Sequence, residues 1–189
     1  LTTSRYYTPK GRCIQKPYTR GKAEDYETDI WNRYLHGEFF NADSIHLADS
    51  VEYYTKNGRI VYGGGGIMPD IFVPRDTSDI TPYFTKLVNK ALIYKFALKY
   101  TEAHRAELKE FTDWQSLNAH LNTLGLFDQL VAFATKEDIT GSNADKHTSR
   151  KLINEHINSY IVRNILGDEG FYPLLYTTDE TVIEALKQI

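Results

Sequence analysis

The chain contains residue types that perform nucleophilic catalysis, but no spacing that marks a catalytic site. Cys13 is the sole cysteine among the 189 residues. A thiol acts as a nucleophile when a base lies within hydrogen-bond reach, and His36 and His46 are the candidates for that base. No local signature accompanies Cys13, so we expect an inert or half-buried thiol rather than a cysteine hydrolase. Ser4 and Lys10 likewise lack the Ser-x-x-Lys spacing of a serine nucleophile with its lysine.

The six histidines predict no metal site. They lie far apart, and none stands in a His-Glu-x-x-His or similar ligand spacing. With one cysteine, the chain can form neither an internal disulfide nor a Cys-rich zinc site. His156 lies at helical spacing between Ile153 and Tyr160, which predicts a hydrogen-bonded side chain at the edge of a core. From the residues alone we assign no catalytic residue and no metal ligand.

Residues 63–66 are four consecutive glycines, a composition that in some proteins binds phosphate through backbone N–H groups. A phosphate loop continues into Gly-Lys-Ser/Thr and a helix, whereas Ile67, Met68 and Pro69 follow here. The sequence therefore predicts a tight, partly left-handed connection in which the backbone approaches its neighbours closely.

A basic and aromatic stretch spans residues 5–22 and could contact a phosphate backbone. Acidic residues within 24–29 end it, and the whole chain has a formal net charge of -3. A negative net charge provides no field that attracts nucleic acid, so we predict no nucleic-acid partner. No apolar run approaches the roughly 18 residues of a membrane span, so we expect no membrane-spanning helix.

The candidate side chains lie in a chain whose composition changes at about residue 75, which divides it into two regions. Up to about residue 75 the chain is rich in Tyr, Thr and Gly, and short β-type runs occur at 2–8, 51–55, 60–62 and 71–73. Residues 15–43 are polar and predict an insertion, with a short helix over 29–39.

From Thr81 onward the pattern predicts about five helices. Thr81-Pro82 is a favourable helix start, and a broad apolar face follows over 84–98. Thr112 and Thr177 each open a capping-box pattern, and Gly125 and Gly167 are expected stops. Residues 136–147 are predicted to form a loop.

Two strings in the first region resemble a known family. LTTSRYYTPKGRCIQ, at residues 1–15, resembles the Thr-Thr-x-Arg-Tyr-Tyr-Thr-Pro-x-Gly-Arg-x-Ile-Gln segment of the carboxy-terminal processing (tail-specific) serine proteases. GIMPDIFV, at residues 66–73, resembles that family's Gly-Ile-x-Pro-Asp-x-x-Val element. Together, and in this order, the strings are specific, although they cover only about the first 75 residues.

The resemblance implies a role in peptide-bond hydrolysis without catalytic residues in this chain. In that family the nucleophilic serine, the lysine that acts as its base and an assisting glutamine all precede the first string. No position here matches their motifs, so we expect the chain alone to be inactive. The parent enzyme would use no metal or organic cofactor, would cleave C-terminal tails of other proteins, and would work in the bacterial cell envelope or periplasm.

We therefore predict an α+β protein with two parts. Residues 1–75 would be the C-terminal part of the protease core, with two scaffold strands at 2–8 and 67–74 and the insertion at 15–43. Residues 76–189 would be a helical region that packs on the core or forms a homo-oligomer, a hypothesis prompted by the apolar face over 84–98. The alternative is a non-enzymatic helical protein-interaction module.

Overall fold

The computed structural model describes residues 4–15, 24, 28–45, 51–63, 67 and 69–189. The described residues are mostly helical and include a two-stranded antiparallel sheet, which confirms the α+β class with a helical C-terminal region. The chain divides into two compact units, Leu1–Arg75 and Asp76–Ile189.

The first unit contains a β-hairpin. Strands β1 (Glu52–Tyr54) and β2 (Ile60–Tyr62) pair antiparallel, with Tyr53 opposite Val61. Gly58, at φ +80, turns the chain between them in a conformation that glycine adopts without strain. The strands predicted at 51–55 and 60–62 are therefore confirmed.

The two predicted scaffold strands are not strands in the described part of the chain. Residues 4–8 contribute a single bridge, Tyr7 with Cys13, while residues 1–3 lie outside the described residues. Residues 71–73 are irregular, and residue 68 is not described. A strand needs a neighbour that accepts and donates its backbone hydrogen bonds. Among the described residues, Tyr6 and Thr8 exchange such bonds with Ile14 and Arg12 across a short turn, and neither run joins the sheet of β1 and β2.

The predicted insertion includes a short helix, as expected. Helix α1 (Asp29–Leu35) is followed by a 3-10 turn, Ala42–Ser44. No residue of α1 is buried. Residues 16–23 and 25–27 of the insertion lie outside the described part.

Residues 76–189 form eight helices, more than the five predicted. They are α2 (Pro82–Asn89), α3 (Leu92–Leu108), α4 (Trp114–Leu121), α5 (Leu126–Lys136), α6 (Asn143–Thr148), α7 (Arg150–Leu166), α8 (Asp168–Tyr176) and α9 (Glu180–Lys187).

The apolar face predicted over 84–98 is divided between two helices. Ala91 adopts a left-handed conformation, at φ 53, and the chain breaks between α2 and α3. Because the break rotates the second helix, Leu92, Ile93 and Phe96 enter the core, whereas Tyr94 and Leu98 are exposed.

Helix starts differ from prediction where an aspartate provides the cap. Thr81 caps α2 through Phe84 N–H, as predicted. At α4 and α9, however, Asp113 and Asp179 accept the first backbone N–H groups in place of Thr112 and Thr177, because each aspartate directly precedes the first helical residue.

Two helices were absent from the prediction. Ser142 caps α6, which overlaps the predicted loop at 136–147. Helix α8 contains Pro173. Proline is unfavourable inside a helix, so the sequence pattern did not indicate a helix here.

Helix α7 lies at the centre of the second unit and packs against α3, α4, α5 and α8. The helix ends at Gly167, as predicted. Every hydrophobic side chain that is buried in the described part of the chain lies between Tyr83 and Leu174. The second unit therefore has a core of its own.

Candidate functional site

A polar cleft of about 510 Å³ opens beside α7 in the helical unit. The walls come from α4, α6, α7 and the end of α8, and nearly every side chain that lines the cleft can form hydrogen bonds. These residues are Asn118, Asn122, His147, Arg150, Lys151, Asn154, Glu155, Asn158, Ser159, Leu174, Thr177 and Thr178. A volume of this size is typical of ligand sites.

Three of the asparagines that line this cleft form a hydrogen-bonded group. Asn158, 4% exposed, donates from Nδ2 to Asn118 Oδ1 at 2.9 Å and to Asn122 Oδ1 at 2.8 Å. Both side-chain N–H groups of Asn158 are therefore used. The two bonds fix the orientations of the Asn118 carboxamide, on α4, and of the Asn122 carboxamide, at the C-terminal end of α4. A buried polar group that is satisfied in this way orients its neighbours instead of destabilising the fold.

The asparagines occur in two pairs with the same spacing. Asn118 and Asn122 are one helical turn apart, and Asn154 and Asn158 are one turn apart on α7. Residues four positions apart lie on the same face of a helix, so each helix presents carboxamides along the cleft. The spacing Asn-x-x-x-Asn is visible in the sequence, but the spacing alone does not identify a site. Only the fold places the two pairs opposite each other.

The cationic residues at the cleft are paired with acidic groups. Arg150 donates to both carboxylate oxygens of Asp128, at 2.8 and 3.3 Å, and its guanidinium lies 4.5 Å from the centre of the Phe127 ring. Lys151 Nζ lies 4.0 Å from Glu155 Oε1. The cleft therefore has little uncompensated positive charge.

Glu155 is the titratable group of the cleft whose environment is most perturbed. Partial burial raises the pKa of this carboxyl above its ordinary value, and the charge of Asp79 raises it further, against the opposing effect of Lys151. A half-buried carboxyl of this kind retains its proton to a higher pH than an exposed glutamate.

The residues singled out from the sequence are not brought together into a site. Cys13 is partly exposed, and His46 lies outside the described residues. His156 lies at the edge of the core as predicted, with its ring 5.5 Å from that of Phe84. Its ring forms no hydrogen bond among the described residues, contrary to prediction, and burial lowers the pKa of His156.

The glycine segment and the basic stretch are described in part. A Cβ at Gly63 would lie 2.9 Å from Tyr53 Cε2, so the close approach predicted for 63–66 is found at its first residue. Residues 64–66 are outside the described part. Arg12 Nη1 donates to the Tyr62 carbonyl at 3.3 Å, and the second half of the basic stretch is likewise outside the described residues.

Neither a metal centre nor a transmembrane segment is found in the part of the chain that the structure describes. Within it, no three His, Cys, Asp or Glu side chains cluster as metal ligands would. Across the same described residues, none of the helices has the length and apolar character needed to cross a bilayer.

Comparison with known proteins relates the helical unit to one family. Residues 83–167 match the model of a family of unknown function, DUF8443, and this segment runs from α2 to the end of α7. Comparisons with curated proteins and with solved structures gave no match.

Proposed function

We propose that this chain is the C-terminal portion of a serine endopeptidase of the carboxy-terminal processing type. The observation that carries the proposal is the pair of strings at residues 1–15 and 66–73, in the order that this protease family has them. Residues 1–75 then supply scaffold to the protease core, and residues 76–189 supply a helical region that packs on the core or on a second copy.

The burial pattern of the first unit supports a scaffold role. Trp31 and Leu35 are 61% and 64% exposed, Tyr6 and Tyr7 are also exposed, and no hydrophobic side chain among the described residues of 1–75 is buried. A two-stranded hairpin without a buried apolar face is marginally stable in water. A region of this composition gains stability when strands from another segment cover its apolar side chains.

The chemistry of the parent enzyme would reside in segments that precede the first string. A serine attacks the scissile carbonyl after a neutral lysine has removed its proton, and no metal or organic cofactor takes part. This chain contributes no catalytic residue to that reaction. Its substrates would be the C-terminal tails of other proteins, in the bacterial cell envelope or periplasm.

Hydrogen exchange tests the scaffold role directly. In the 189-residue chain we expect the amides of β1 and β2 to exchange nearly as fast as those of an unfolded chain, while those of α3 and α7 are strongly protected. When the chain is produced in frame with the coding sequence upstream of Leu1, β1 and β2 should become protected and a fluorophosphonate should label the longer protein. Protection of β1 and β2 in the 189-residue chain, or no labelling of the longer protein, would overturn the proposal.

A second candidate is a non-enzymatic protein-interaction module. The compact helical unit, which has its own core and cleft, favours it. Here the longer protein would bind protein partners without hydrolysing them, and the same labelling experiment separates the two candidates.

A further inference from the structure

We infer that the cleft between α4 and α7 binds an extended peptide segment through its main chain, with carboxamides as the recognising groups. The inference depends on the helical unit alone, so it stands whether or not the chain belongs to a protease.

The asparagines of α4 retain hydrogen-bond donors for a ligand. Asn158 Nδ2 donates hydrogen bonds to the Oδ1 atoms of both Asn118 and Asn122. The Nδ2 groups of Asn118 and Asn122 make no hydrogen bond among the described residues. An amide nitrogen carries two donors, so a row of oriented N–H groups is left beside the cleft.

The positions of Asn118 and Asn122 along the helix are close to the repeat of an extended chain. Residues one helical turn apart are separated by about 6 Å along the helix axis. Alternate residues of an extended peptide are separated by roughly 6.6 Å, and their carbonyl groups point the same way. The carboxamides of Asn118 and Asn122 can therefore donate to the carbonyls of residues i and i+2 of one strand, while Asn154 faces them from α7 with both a donor and an acceptor.

Other ligand classes fit the lining less well. Arg150 is held by Asp128, which leaves Lys151, 4.0 Å from Glu155, as the one weakly paired Lys or Arg side chain of the cleft, whereas a nucleic acid is bound by several cations. All residues around the cleft are described, and no Phe, Tyr or Trp lines it, so the His147 imidazole is the single ring on which a base or a sugar could stack. Leu174 provides an apolar contact for a side chain of the peptide.

The experiment uses a neutral probe and the 189-residue chain. An acetylated and amidated hexapeptide of alternating Ser and Ala carries main-chain groups without terminal charges. Titrated into ¹⁵N-labelled protein, it should shift the side-chain amide signals of Asn118, Asn122 and Asn154, with a dissociation constant on the order of 0.1 mM.

The decisive variant is Asn122→Asp. This change keeps the oxygen that accepts from Asn158 and removes the Nδ2 donors, so it should weaken binding about tenfold while the fold is retained. Asn89→Asp is the matched control, because Asn89 is an exposed asparagine at the end of α2 and remote from the lining. It should bind within about twofold of the unaltered chain.

Two results would overturn the inference. One is the absence of shifts in the cleft amides at millimolar peptide. The other is equal affinity of Asn122→Asp and Asn89→Asp, which would place the peptide elsewhere. If maltotriose shifts these amide signals and the hexapeptide does not, the cleft is a sugar site and the inference is wrong.

Discussion

The Oγ1 atom of Thr81 lies 2.7 Å from Oγ of Ser149, and together they join the start of α2 to the start of α7. Ser149 Oγ donates its proton to the Asp79 carbonyl at 2.7 Å, so Thr81 is the donor between the two hydroxyls. Thr81 Oγ1 also accepts from Phe84 N–H as the cap of α2. Both side chains are buried, and the network is closed within the protein.

Breaking this network should destabilise the helical unit. We expect Ser149→Ala and Thr81→Ala each to lower the free energy of unfolding by about 1–2 kcal/mol, since each leaves a buried polar partner unpaired. The double variant should cost less than the sum of the two, because they remove the same hydrogen bond. Urea denaturation measures all three. Thr181→Ala, an exposed threonine of α9, is the control and should change little, whereas strict additivity would contradict the coupling.

Gly141 packs directly against a buried ring. A Cβ at this position would lie 2.5 to 2.7 Å from Tyr83 atoms, and Tyr83 is 1% exposed. Gly141→Ala should therefore lower the free energy of unfolding by about 1–3 kcal/mol. In a Tyr83→Ala background the same change should cost far less, because the ring is gone. An equal cost in both backgrounds would show that the ring is not the cause.

The Tyr83 hydroxyl is buried without a hydrogen-bond partner among the described residues. Burial raises the pKa of this phenol, so it remains neutral at physiological pH. Removing an unsatisfied hydroxyl avoids its desolvation penalty, and Tyr83→Phe should leave stability unchanged or raise it by up to about 1 kcal/mol. Thermal unfolding checks this expectation, and a clear loss of stability would mean that the hydroxyl does have a partner.

His156 should make stability depend on pH. Burial lowers its pKa below the ordinary value of about 6.5, so below that pH the unfolded chain takes up a proton that the folded protein does not bind. Its contribution to stability is present above about pH 6.5 and is lost as the pH falls below that value. His156→Phe should lose less stability between pH 7.5 and 5.5 than the unaltered chain does. Identical pH profiles from urea denaturation would contradict this.

Glu155 should act in the opposite direction. Burial raises its pKa above the ordinary value, so the folded protein binds a proton that the unfolded chain has released. The stability associated with this proton is present below about pH 4.5 and is lost as the pH rises through the folded-state pKa. Glu155→Gln should therefore be more stable than the unaltered chain at pH 7. Because His156 is adjacent, the comparison should be repeated in the His156→Phe background.

Some features of the candidate cleft were readable from the sequence and some were not. The helix carrying Asn154 and Asn158 and its end at Gly167 follow from apolar periodicity and a glycine stop, which are local signals. The hydrogen bonds from Asn158 to Asn118 and Asn122 join residues 40 and 36 positions apart, respectively. No local signal encodes such a contact, and so no asparagine was predicted as a site residue.

The sequence by itself determined the helical class of residues 76–189, the Thr81 cap and the β-hairpin strands, because these depend on propensities and spacings within a few residues. Tertiary structure alone decided that Ala91 breaks the first long helix, that Tyr94 and Leu98 face outward, and that two asparagine pairs share a cleft. The physical reason is that the burial of a side chain depends on how distant segments of the chain pack together. A side chain leaves water only when a distant segment covers it, and α7 is the element that covers most of this unit.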